Sequence, residues 1–208
     1  MRFYKSGPIL IFAVGCAAVR TVGAQAAAPD YFHQSLTGAF VYEVKVGPNS
    51  TFAQPLLNNA AGFSAGYWLR PRRWLALEAG FEQIVRPIGS SAANRYSTNA
   101  DDQLYIVPFG VRYVLEPRSS RLRFTAGGGG AYLNHTIGDL SGGEFGFSGW
   151  GGQFVASGEY AVTRSGRLRL GVTARYYFAS PKPSPDYGFS NDHLRILVFG
   201  PAVSFSIR

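Results

Sequence analysis

The chain has 208 residues and a formal charge of +8; 15% of its residues are charged, 15% are aromatic and 26 are glycine. A soluble domain typically carries about 25% charged residues, so this composition makes a poor water-facing surface, and the length allows one domain of ordinary size. The single cysteine, Cys16, leaves everything downstream without a disulfide or a thiolate metal site.

Residues 1–26 read as a secretory signal. Arg2 and Lys5 make the positive start, Pro8 to Val19 the apolar stretch, and Ala24-Gln25-Ala26 the cleavage site. Its removal takes Arg2, Lys5 and Arg20 and no acid, so the charge falls from +8 to +5. Ala13-Val14-Gly15-Cys16 also loosely resembles a lipoprotein cleavage box, and the alternative is an acylated Cys16. Residues 27–208 are expected to form one domain.

From residue 39 onward the pattern is alternation. In the first strand Phe40, Tyr42, Val44 and Val46 share one parity, and Ala39, Val41, Glu43 and Lys45 the other. The second sets Phe63, Ala65, Tyr67 and Leu69 against Gly62, Ser64 and Gly66, and the third sets Leu75, Leu77, Ala79 and Phe81 against Ala76, Glu78, Gly80 and Glu82. The fourth places Tyr105, Val107, Phe109, Val111 and Tyr113 against Pro108, Gly110 and Arg112. The fifth covers residues 122–134, with a bulge expected at Gly127-Gly128-Gly129-Gly130. The sixth sets Phe154, Ala156, Tyr160 and Val162 against Gln153, Ser157 and Glu159. The seventh is apolar at every second position from Leu168 to Phe178, and the eighth sets Phe199, Val203, Phe205 and Ile207 against Gly200, Ala202, Ser204 and Ser206. Period two means β-strands with two unlike faces.

The connections alternate. Residues 70–73, 116–121 and 164–167 are tight turns, whereas residues 47–59, 87–102, 135–148 and 180–193 are longer, polar loops. Short and long connections in turn make an up-and-down meander. After residue 30 no apolar run approaches the roughly 18 to 20 residues of a membrane helix, and a sheet in lipid must close on itself. An eight-stranded barrel has a bore just wide enough for side chains, so the Phe, Tyr and Leu parity belongs outside and the small and charged parity inside. Tyr67, Trp74, Tyr113 and Tyr160 fall near the short turns, and Phe81, Tyr105, Trp150, Tyr176 and Phe178 near the long loops, as two interfacial girdles would.

With strands and turns placed, residues 27–208 resemble the small outer-membrane β-barrel proteins of the OmpA, OmpX and OmpW type. The resemblance rests on the eight alternating strands, on the turn and its flanks over residues 67–81, and on the closing Val203-Ser204-Phe205-Ser206-Ile207, which is similar to the signature read by the barrel-assembly machinery. Arg208 stands where that signature ends on an aromatic. The resemblance implies an all-β, eight-stranded antiparallel up-and-down transmembrane β-barrel in the bacterial outer membrane, a monomer with its short turns toward the periplasm.

Two groups of residues are candidates for function. Glu43, Lys45, Glu78, Glu82, Arg112, Arg123, Glu159, Arg169 and Arg175 are expected to point inward and to pair, because an unpaired charge in a narrow bore carries a large desolvation cost. Arg70, Arg72, Arg73, Arg118, Arg121, Arg164 and Arg167 crowd the short turns and are expected to contact anionic lipid headgroups. The function read here is structural or surface-interactive, with a bore plugged by ion pairs and no enzymatic activity. One alternative is passage of small hydrophobic molecules, as the OmpW-like members suggest. The other is a hydrolase resembling the lipid A deacylases, built on Ser190 and one of His33, His135 or His193, although Gly188 stands where that motif has its histidine. No metal, cofactor or nucleic-acid partner is expected; the expected partners are membrane lipids and the assembly machinery.

Overall fold

The computed structural model describes residues 33–46, 60–86, 102–117, 121–138, 144–180, 182–183 and 194–207. The expected leader, most of the long loops and Arg118 lie outside them. The strands are β1 (Gln34–Lys45), β2 (Ala60–Arg72), β3 (Leu75–Arg86), β4 (Asp102–Leu115), β5 (Leu122–Gly138), β6 (Glu144–Ala161), β7 (Leu168–Ala179), β8 (Lys182–Pro183) and β9 (Leu194–Ile207). Every pairing is antiparallel and joins chain neighbours, save that β7 passes over the two-residue β8 to pair β9, β8 pairs with β6, and β9 returns to β1. The eight long strands therefore close into a barrel with no free edge along the wall, which satisfies the backbone without water.

The face assignment holds along the long strands for which the pattern sets one, and in β5 Arg123 and Thr125 take the inward parity and Phe124 the outward. Phe40, Phe63, Phe109, Tyr113, Phe154, Leu170, Val172 and Phe205 stand exposed on the outer wall, while Glu78, Arg112, Arg123, Gln153, Glu159 and Arg175 are buried in the bore. Alternation alone brings this about, since a strand in a closed wall has one inner and one outer face.

Three expectations are corrected. No bulge interrupts residues 127–130: the β4–β5 and β5–β6 ladders run through without a shift. The four glycines instead serve close approach. A Cβ on inward Gly127 or Gly129 would lie 2.1 Å from the carbonyl oxygen of Val111 or Phe109. Outward Gly128 and Gly130 sit opposite Phe154 and Phe109, whose rings roof them, as aromatic side chains do over glycine in sheets. The irregularity lies between Leu69 and Arg72 in the β2–β3 ladder, where Pro71 has no N–H to donate. Second, residues 135–148 are mostly ladder: β5 and β6 stay paired up to Gly138 and Glu144, so this hairpin outreaches its neighbours. Third, a two-residue strand not foreseen in the pattern, β8, pairs with Phe147 and Ser148.

The glycine geometry makes a test. Gly129→Ala, with its Cβ driven to 2.1 Å from a backbone oxygen, is expected to cost about 1 to 3 kcal/mol of overpacking. Gly38→Ala, whose Cβ would meet nothing nearer than 3.7 Å, should be near neutral. Urea unfolding of both variants in vesicles checks the difference; equal midpoints would contradict the close packing.

Candidate functional site in the barrel bore

The bore is layered. At the turn end Arg70 is fully buried and donates to Glu116 at 3.2 Å and to the Arg73 carbonyl. Arg169 pairs with the other oxygen of Glu116 and donates to the Arg121 carbonyl at 3.1 Å. Arg73 donates to the Glu116 carbonyl at 3.2 Å. Glu116 thus ties the β4–β5 turn to β2 and β7, and Ser35 and Ser206, 3.0 Å apart, share a hydrogen bond across the β1–β9 seam.

One layer further in, Arg123 holds Glu159 through two nitrogens, the Nε contact being 2.9 Å, and also donates to Ser204 at 2.7 Å. Ser204 completes the triangle by donating to Glu159 at 3.0 Å. Trp68 faces both Arg112 and Arg123, their guanidinium carbons 4.5 and 5.1 Å from its ring centroid. An indole face attracts cations, the more so when water is excluded. Two arginines stacked on one buried ring would repel each other without their glutamates.

Glu78 is the hub. It accepts from Arg112, from Arg175 at 3.4 Å and from Gln153 at 3.3 Å. Arg175 also donates to Gln153 at 2.9 Å and pairs with Glu82 at 3.0 Å. Arg112 continues to Thr125 at 3.2 Å, and Thr125 to Ser157 at 2.8 Å. Residues from five strands, β3 to β7, meet in this layer, so the network spans the bore. Among the described bore side chains five arginines (70, 112, 123, 169, 175) are matched in number by five glutamates (43, 78, 82, 116, 159), four of which pair with them directly. That balance limits the cost of removing charge from water.

Toward the loop end the bore changes character. Val41, Ile84, Leu104, Ile106, Leu133, Ile196 and Val198 form one buried cluster with Tyr177. Small and charged residues were expected throughout the bore; aliphatic side chains fill its upper part, with Glu43 and His135 buried at that level. The inward parity of β4 there, Leu104 and Ile106, is as apolar as its outward parity, so alternation is silent at those positions.

Of the nine residues expected inward, Glu78, Glu82, Arg112, Arg123, Glu159, Arg169 and Arg175 join the pairs above. Glu43 is buried higher up, and Lys45 lies in β1 opposite Ile196, its side chain outside the description. Among the turn arginines, Arg70 is a correction: it is buried in the bore and bound to Glu116, so it faces no headgroup. Arg72 is exposed and lies 5.7 Å over Trp74, Arg73 is half-buried, and Arg121, Arg164 and Arg167 are exposed. Sequence reasoning missed Trp68, Gln153 as a bridge, and Glu116 as an anchor. Extending the inward parity of β2 past Gly66 reaches Trp68 and then Arg70, which was the available signal.

A closed wall with an apolar exterior and a charge-paired interior defines a small eight-stranded transmembrane barrel of the outer-membrane type. No family model matches the chain. No curated protein matches it either. Solved structures do. Neisserial surface protein A is 16% identical with a TM-score of 0.58, the match covering 85% of this chain and 97% of that one. OprG from Pseudomonas aeruginosa is 10% identical with a TM-score of 0.57, covering 84% and 95%. Ail, the attachment invasion locus protein of Yersinia pestis, is 11% identical with a TM-score of 0.52, covering 84% and 96%. At these identities the likeness is one of fold.

Proposed function

We propose that this chain is an outer-membrane barrel that seals its own bore and acts through the surface its loops present. The observation that carries the reading is the Glu78 hub, where Arg112, Arg175 and Gln153 converge from three strands and leave the bore filled with paired side chains. Eight strands leave little room beyond side chains, and a paired network in that space is a plug rather than a path. Loops carried on a rigid scaffold are the usual place for recognition. Two of the similar structures belong to proteins named for a surface position or for attachment and invasion, which agrees with a surface role here.

A second reading, passage of small hydrophobic molecules, draws on the aliphatic upper bore. A straight route through it ends on the ion-paired layers. Ser190, on which a hydrolase would rest, lies outside the described residues, as does His193. Proteoliposome swelling tests the sealed bore: vesicles containing the folded chain are expected to swell no faster than empty ones in small sugars. Faster swelling would overturn the plug and favour passage.

A further inference from the structure

At the loop end β8 takes over from β7 as the partner of β6, with Ser148 opposite Lys182 and Phe147 opposite Pro183. The β6–β7 ladder stops at Gly151 opposite Ala179, and the β7–β9 ladder at Ala179 opposite Leu194, while β6 runs on to Glu144. Above the last pair a cleft of about 510 Å³ opens, lined by Trp150, Gly151, Gly152, Phe178, Leu194 and Arg195 among others.

Trp150, Gly152, Phe178 and Arg195 sit on the parity that faces outward, and Trp150 is 69% exposed, the most exposed of the large hydrophobic side chains on the described wall. Two aromatic groups line the cleft, and the Phe178 ring lies over Gly152. On one side Trp150 packs edge-on to Tyr132 and Phe109, with centroids 5.2 and 6.0 Å away. On the other Phe178 packs against Phe154 and Tyr176 at 5.7 and 6.3 Å. Arg195, opposite Phe178 in the ladder, is exposed, and among the described residues no carboxylate pairs with it. The five bore arginines all lie beside glutamates; this one points out of the wall, at the depth where aromatic girdles mark the headgroups.

We infer that this cleft is a binding site for a phosphate-bearing lipid of the loop-side leaflet, with an acyl chain along the slot between Trp150 and Phe178 and the phosphate on Arg195. Lipid is the medium the outer wall meets, and a cleft walled by Trp150, Phe178 and Leu194 accepts a chain. A guanidinium offers parallel donors that match phosphate oxygens, and an interfacial cation selects an anionic headgroup over a zwitterionic one. The inference rests on the wall facing lipid and is independent of whether the bore is sealed.

The test uses the full chain folded into vesicles of phosphatidylcholine mixed with phosphatidylglycerol, one lipid at a time carrying brominated acyl chains. Quenching of Trp150 is obtained by difference from a Trp150→Phe variant, and heat-sensitive gel mobility reports folding. Brominated phosphatidylglycerol is expected to occupy the site about fivefold more readily than brominated phosphatidylcholine, the order of one basic residue at a membrane surface. Arg195→Gln should fold normally and bring that ratio to about one. Equal quenching by the two lipids in the wild-type chain, or a preference that survives Arg195→Gln, would overturn the site.

Discussion

Replacing Glu78 with leucine is expected to destabilise the barrel by roughly 3 to 5 kcal/mol, the cost of breaking a buried ion pair and stranding its partner. The residue is 7% exposed and compensates Arg112 and Arg175 together. Arg175 keeps Glu82 when Glu78 is lost, whereas Arg112 keeps only a hydroxyl partner, Thr125, and the face of Trp68, which it shares with Arg123. The stranded charge is therefore chiefly that of Arg112. A second substitution, Arg112→Met, should restore most of the loss, because removing both charges is far cheaper than removing one. Chemical unfolding in vesicles, followed by tryptophan fluorescence, measures both variants. A single variant within about 1 kcal/mol of the parent, a fraction of the cost expected for breaking such a pair, would mean that the network contributes little.

Arginine at Val172 is expected to cost about 2 to 4 kcal/mol if the position lies near the bilayer midplane. Val172 is 63% exposed on the outer wall, between Gly158 and Pro201 on the neighbouring strands. On a wall that met water such a substitution would be close to neutral, since exposed positions tolerate charge. Here the guanidinium would enter hydrocarbon, with lipid on its open side and no acid beside it on β6 or β9. Refolding yield and unfolding midpoint in vesicles of graded thickness check this, and the loss should grow with thickness. An unchanged midpoint would contradict a lipid-facing wall, whereas Thr173, one residue on, points to the bore and should show no dependence on bilayer thickness when altered.

Much of the architecture was legible in the chain itself. The period-two pattern in residues 168–178 needs only local geometry: successive side chains point to opposite faces whatever lies beyond. The charged bore residues were legible for the same reason, since Glu78, Arg112, Glu159 and Arg175 stand on the parity opposite a run of Phe, Tyr and Leu. Arg70 was hidden by the turn composition of Arg-Pro-Arg-Arg, which looks alike whether its first arginine bends inward or out, and only the parity of β2 carried past Gly66 and Trp68 points it inward. The tetraglycine of β5 looked like a break in register; the residues that explain it, Phe109, Val111 and Phe154, belong to other strands.

What the sequence alone determined is the number of long strands, their two faces and the alternation of turns and loops, all properties of residues close together in the chain. Which charge meets which was decided only on closure. Glu78 and Arg175 stand 97 residues apart, and their meeting depends on the stagger of successive strands around the barrel. The same stagger sets Phe178 between Gly152 of β6 and Arg195 of β9 and so brings Trp150 and Arg195 to one cleft on the outer wall. Register between distant strands is a collective outcome of hydrogen bonding and packing around the whole cylinder, and no local stretch of sequence encodes it.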